Sequence, residues 1–257
     1  SYGPQYPRGI QEGNGVPADG DLWVSYSVNK EDMWISRIPV PVEINASAHA
    51  DDDFSKNKSI AELTDWNIYS PVWAPVSLED QWLKLQDKDP FDYAKVERKI
   101  PASKELKVSF DLKAGQNNKG TLQIEFLDEN GIACSRMELT DDGIFRLKGG
   151  SRFANMMKYE AGKVYHVEAV LSTVDRNIQV YVDGKRVGLR MFYAPVAAVE
   201  RIVFRTGVPR TFPTVDTPAD QTYDLPNAGA QDPLAEYGIA NVKTSSTDKD
   251  ASSAFLK

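Results

Sequence analysis

The sequence predicts an all-β protein: an antiparallel β-sandwich preceded by a β-hairpin segment. Three observations carry that expectation. Apolar residues recur with period two in many short runs, turn dipeptides separate those runs, and no window of helical length shows a convincing amphipathic face.

The elements follow in chain order. Leu22-Trp-Val-Ser-Tyr-Ser-Val28 alternates apolar and polar positions as a half-buried strand does, Asn29 to Asp32 interrupts it, and Met33-Trp-Ile-Ser-Arg-Ile38 resumes it. Two such runs around a polar turn predict a hairpin. Pro39-Val-Pro-Val42 then stops any ladder, because proline has no N–H to donate. From Asn45 to Ser59 the chain is polar and reads as a linker or a long surface loop. Beyond residue 60 the strand signal returns at 82–86, 94–100, 106–112, 121–127, 133–139, 144–147, 164–171, 177–182, 201–205 and 237–242. Asn130-Gly131, Asp142-Gly143 and Asp183-Gly184 tolerate positive φ and mark turns between them. The segment from Leu78 to Leu85 is ambiguous between strand and helix. Val208 to Pro233 holds five prolines and no strand pattern, which reads as a long loop over one sandwich edge or a functional excursion. Ser245 to Lys257 reads as a frayed tail.

Composition excludes several function classes. With 41% apolar residues the chain can bury a core, so wholesale disorder is excluded. No stretch approaches the roughly 20 apolar residues of a membrane-spanning helix. A net charge of −7 argues against sequence-independent binding to nucleic acid, which needs a positive surface to release counterions. One cysteine, Cys134, and two histidines leave no disulfide framework and no Cys/His zinc site. No Gly-x-Ser-x-Gly elbow and no phosphate-binding glycine loop is present. The amino terminus lacks a basic region followed by an apolar one, so either a leader has been removed or the chain begins inside a longer protein.

Pro7-Arg-Gly-Ile10 followed by the run from Leu22 to Val42 resembles the closing segment of secreted sialidase-like β-propellers, the proteins with BNR or Asp-box repeats in polysaccharide-degrading Bacteroidetes. Tyr26-Ser-Val-Asn-Lys-Glu-Asp32 is the distinctive part. Trp66-Asn-Ile-Tyr-Ser-Pro-Val-Trp-Ala-Pro75, Lys88-Asp-Pro-Phe-Asp-Tyr93, Tyr181-Val-Asp-Gly-Lys185 and Phe204-Arg-Thr-Gly207 resemble the module that follows such propellers. That module is similar to concanavalin-A-like and laminin-G-like jelly rolls. The resemblance implies a hairpin segment over 1–45 left from a propeller blade, a linker over 46–59, a jelly-roll sandwich over 60–245 and a flexible tail over 246–257. The propeller body itself is absent from the chain.

The same resemblance implies a secreted, periplasmic or cell-surface carbohydrate-active protein whose upstream propeller is a partner of this chain. The expected role is an accessory sandwich of a glycoside hydrolase or polysaccharide lyase, binding a polysaccharide or oligosaccharide or bracing the catalytic propeller. The alternatives are a part of the catalytic unit itself and a laminin-G-like module with a protein partner. The chain alone is expected to be non-catalytic.

Substrate-binding candidates fall in two places. In a propeller, hairpin turns can line the central funnel, so Asn29, Lys30 and Glu31 are candidates there, with Arg8 placed to pair with a uronate or sialate carboxylate. One tight turn cannot hold two carboxylates about 5–10 Å apart across a glycosidic bond, so no catalytic pair is assigned. Trp66 and Trp73 lie in a proline-broken stretch where an exposed ring could stack on a sugar, although tryptophan is more commonly buried and a structural role competes. Asp51-Asp52-Asp53 lacks EF-hand spacing and reads as a solvated linker, with calcium as the alternative. Jelly rolls of the resembled type can hold a structural calcium, but spacing names no ligands for one. No other cofactor is expected. His166 is expected on the polar side of a sheet, and Cys134 as packing rather than nucleophile.

Overall fold

The structure, a computed structural model, describes residues 4–10, 21–28, 32–39, 48–207 and 230–246. The chain divides into two compact units, one of residues 1–46 with 210–225 and one of residues 47–209 with 226–257.

In the first unit, β1 (Pro4–Ile10), β2 (Asp21–Val28) and β3 (Asp32–Pro39) form an antiparallel sheet in that order. The β2–β3 hairpin is the one the alternation predicts, in full register from Asp21↔Pro39 to Val28↔Asp32. β1 lies in the Gly- and Pro-rich start, where no strand was expected. Met33 and Ile35, opposite Ser27 and Ser25, are largely exposed.

The second unit is the sandwich. One sheet has seven strands, in the order β13 (Arg152–Lys158), β12 (Ile144–Gly149), β11 (Ala133–Leu139), β10 (Leu122–Leu127), β17 (Val199–Thr206), β8 (Lys95–Ser103) and β5 (Trp66–Tyr69). The other runs β16 (Lys185–Met191), β15 (Asn177–Val182), β14 (Val164–Ser172), β9 (Glu105–Ala114), β18 (Ala235–Ser246), β7 (Trp82–Asp87) and β6 (Val76–Glu79), with the short β4 (Asp51–Asp52) also on β18. All pairings are antiparallel, and every turn dipeptide falls between strands. Asp183 and Gly184 both take positive φ (49° and 77°), which gives the β15–β16 hairpin a turn whose twist matches its strands.

The core lies between the sheets. Val108, Phe110 and Leu112 of β9, Val167 and Ala169 of β14, and Leu83 and Leu85 of β7 face Ile124 and Phe126 of β10, Met137 of β11 and Phe204 of β17. Phe110 and Phe204 meet edge to face with ring centroids 5.0 Å apart. Burial of each such side chain contributes roughly 1.5–3 kcal/mol. Cys134 is fully buried, and burial pushes its thiol up to about 12, so it is a packing residue.

One expectation needs correction here, and one ambiguity resolves. The stretch from Asn45 to Ser59 is not a free linker where it is described: Ala50 and Phe54 are core residues, and β4 pairs with Val242 and Lys243 of β18. The segment Leu78 to Leu85, ambiguous in the sequence, falls on β6, a tight turn with positive φ at Asp80 and Gln81, and β7. The only helical turn among the described residues is a 3₁₀ turn at Ile60–Glu62.

Candidate functional site

The predicted candidates scatter. Arg8 lies in β1, opposite Ser25, and Asn29, Lys30 and Glu31 fall outside the described residues. Trp73 is half-buried between β5 and β6, its carbonyl accepting the Lys88 N–H at 3.0 Å. Trp66 points inward: it is 8% exposed, stacks on Phe204 with centroids 6.4 Å apart, and meets Phe54 at 5.9 Å. A sugar therefore has no open Trp66 face to stack on. The period-two pattern of β5 explains why, since Trp66 and Ile68 share the side that faces the other sheet.

The acidic run Asp51-Asp52-Asp53 edges a polar cavity of about 340 Å³, with Glu62, Asp65 and the rim of Trp66 also lining it. Its carboxylates have local partners. Asp52 accepts from Arg98 Nε at 2.8 Å and from Trp66 Nε1 at 3.0 Å, and Asp65 lies 3.5 Å from Arg98 Nη2. Asp51 pairs with Lys243 at 3.0 Å. The N–H and hydroxyl of Ser55 donate to Asp53 and hold its carboxyl below the usual range, and Glu62 accepts the Lys58 N–H. Asp52 thus neutralises an arginine that β8 turns inward and that is 2% exposed. Among the described residues no group of three or more His, Cys, Asp or Glu could hold a metal ion.

The outer face of the seven-stranded sheet is different in kind. Alternation that points Leu122, Ile124 and Phe126 into the core points Gln123 and Glu125 out, and their cross-strand partners share that face. On one side of β10 stand Arg136 and Glu138 of β11, then Arg146 and Lys148 of β12 and Phe153 of β13. On the other side are Arg201 and Arg205 of β17, then Lys95, Glu97 and Lys99 of β8 and Tyr69 of β5. Glu125 and Arg136 form an ion pair at 2.5 Å, Glu138 and Arg146 at 2.6 Å, and Glu97 takes Lys95 at 2.7 Å and Arg201 at 3.4 Å.

These pairs are desolvated to a degree unusual for a sheet exterior: the Glu125, Glu138 and Glu97 side chains are 12%, 7% and 10% exposed. Four aromatic rings lie among them. Arg146 sits 4.2 Å from the Phe153 centroid, Lys148 4.4 Å from that of Tyr193, and Arg205 4.7 Å from that of Tyr93. Tyr69 leans on Tyr93 and donates to Asp92 at 2.8 Å. Tyr193 comes from the β16–β17 connection, whose N–H is anchored on the Cys134 carbonyl at 3.0 Å, and burial pushes its hydroxyl up to about 12.

On this face both amide atoms of Gln123, Nε of Arg146 and the hydroxyl of Tyr193 are buried without a hydrogen-bond partner among the described residues. Gln123 is 1% exposed. An unpaired buried amide costs about 1–3 kcal/mol, so its retention on this sheet calls for an explanation beyond stability.

The sialidase-like CBM domain model matches residues 66–221, more than half of the sequence. This chain belongs to the sialidase-like CBM domain family. The match runs from β5 through β17 and so takes in all seven strands of the seven-stranded sheet. A solved structure described as a sialidase is 90% identical to this CBM domain chain, with a TM-score of 0.86 over 98% of it. The chain spans 23% of that structure's own length. Two remoter structures share the fold alone. One, described with the endo-acting O-glycanases of human gut microbiota, has 14% identity and a TM-score of 0.52 over 77% of this chain and 98% of its own. The Crh5 transglycosylase has 11% identity and a TM-score of 0.55 over 79% and 85%. No curated protein matches the sequence. Of the resembled features, the jelly-roll-like sandwich is therefore present.

Proposed function

We propose that this chain is a carbohydrate-binding module of a longer sialidase-like protein, and that it engages glycan on the outer face of the seven-stranded sheet. The single observation that carries this is Gln123, a fully buried amide with no partner, set among half-buried rings and charged side chains. Sugars present hydroxyls that both donate and accept, which is what a free carboxamide complements. Membership of the CBM family supports the class of ligand, and the 23% share of the sialidase-like structure supports an accessory rather than a whole-enzyme role. The parent protein would act on glycans outside the cytoplasm, by hydrolysis or elimination.

A bracing role has its own support. Met33 and Ile35 are 74% and 64% exposed on one face of the three-stranded sheet, an apolar surface suited to the remainder of a propeller. Residues 1–45, Arg8 and the Asn29-Lys30-Glu31 turn included, would then belong to that body, and 60–245 to the module.

Affinity electrophoresis of the full chain through gels holding neutral and acidic polysaccharides tests the binding role. Retardation by at least one glycan, reduced by Gln123→Leu, is the expected result. Free migration through every glycan would overturn it and leave the brace.

A further inference from the structure

Aromatic rings in sugar sites ordinarily offer an open face to the C–H groups of a pyranose. On this sheet three of the four rings already carry a cation over one face: Arg146 on Phe153, Lys148 on Tyr193 and Arg205 on Tyr93. A cation at such a distance is held by the ring quadrupole and takes the place a sugar face would use. The rings therefore fix cations in position, and recognition passes from stacking to charge.

The charge balance agrees. Cationic side chains outnumber carboxylates on this face, whereas the chain as a whole carries −7. The carboxylates are also committed. Glu138 is taken by Arg146 through Nη2, which leaves the Arg146 Nε without a partner. Lys148, opposite Arg136 in the register, has no carboxylate partner among the described residues and lies 5.9 Å from the second ring, Phe153. Tyr193 adds a hydroxyl that is also unpaired. Strand β12 and the β16–β17 connection that lies against it thus bring together an ammonium, a guanidinium N–H and a phenol with no acceptor left for them. A ligand that satisfies all three supplies several acceptor oxygens and negative charge.

From this geometry we infer that the β11–β13 half of the face binds the anionic group of an acidic sugar, a carboxylate or a sulfate ester, through Lys148, Arg146 and Tyr193, with the Gln123 amide taking a neighbouring hydroxyl. The inference rests on the glycan-binding role proposed above and names its ligand class.

Titration calorimetry on the full chain provides the test, using sialyllactose, a galacturonate oligosaccharide and a chondroitin sulfate oligosaccharide beside neutral lactose and xylo-oligosaccharide. Binding of an acidic probe alone is expected, weakening as salt rises. Lys148→Gln and Arg146→Gln should each weaken it by about tenfold or more, the worth of a charge-assisted hydrogen bond. Tyr193→Phe, which removes one oxygen and leaves the ring in place, should weaken it less while folding normally. Carboxyl-reduced and desulfated forms of the bound probe identify which anion is read. Gln123→Leu should bind more weakly while melting no lower than the parent, a combination that a merely structural role does not produce. Neutral probes bound as tightly as acidic ones would overturn the anion and leave the glycan-binding role standing. No binding to any probe would overturn both. Unchanged acidic binding in Lys148→Gln, Arg146→Gln and Tyr193→Phe would overturn the location.

Discussion

The two exteriors of the sandwich are both polar, yet they are polar in different ways. On the eight-stranded sheet the charges stand in water. His166 pairs with Asp111 at 2.8 Å while half-exposed, and Lys107 reaches Glu168 with 53% of its side chain accessible. A β-bulge at Asn241 (φ 52°) turns that amide onto Asp111 at 2.7 Å, and Trp82 packs against Gly238, where a Cβ would come within 2.9 Å of its ring. On the seven-stranded sheet the carboxylates are about nine-tenths buried, the rings carry cations, and an amide is left unpaired. Solvated pairs contribute little and cost little, whereas desolvated ones are expensive unless each group is matched. The difference is between pairs left in water and pairs taken out of it, and it is on the second kind that the ligand surface is proposed.

The core sets the top of the scale against which the faces can be ranked. Asp52→Ala would leave Arg98, whose side chain is 3% exposed, with only Asp65 at 3.5 Å as a carboxylate partner, and should lower stability by about 3 kcal/mol in urea denaturation. Asp87 gives a pH-dependent reference. Burial first, then the nearby Asp89 and Asp92, push its carboxyl up to about 6 against an ordinary 3.8. The folded state therefore holds a proton that the unfolded chain releases, so stability falls as pH rises from about 4 to about 6, by about 2–3 kcal/mol in all. Asp87→Asn should flatten that part of the pH profile and raise the melting temperature at pH 8. An unchanged profile would contradict the burial argument.

The faces come next. Glu138→Ala should cost about 2 kcal/mol, less than the fully buried case because Arg146 keeps 34% of its side-chain surface. Gln123→Leu should gain about 1 kcal/mol by removing an unpaired buried amide. Lys107→Ala, on the eight-stranded face, should change stability by no more than about 0.5 kcal/mol. A Lys107→Ala effect as large as that of Glu138→Ala would erase the distinction between the two exteriors.

Legibility in the sequence followed the same physics. Apart from the β2–β3 hairpin, the strands that alternation located, such as Glu105–Ala114 and Val164–Ser172, are interior strands of the sandwich, where one side of each run meets the core. The strands it missed in the sandwich include both edges of both sheets: β5 and β13 in one, β6 and β16 in the other. Edge strands are covered on fewer sides, so Arg152–Lys158 and Lys185–Met191 show no clean period of two. At the site, Gln123 and Glu125 were visible only as the polar half of an alternating run, the same as Lys107 and Ser109. Which polar half is desolvated depends on neighbouring strands, so sequence spacing does not reveal it. Trp66 was singled out as an aromatic near prolines, but its inward phase is set by pairing with Arg98.

The most direct test of the seven-stranded face as the ligand surface is an amide NMR titration of the full chain with the acidic oligosaccharide that binds most tightly. Shift changes are expected to cluster on β10, β11, β12 and β13 and around Tyr193. Changes confined to β9, β14, β15 and β18 would place the ligand on the opposite exterior and contradict the assignment.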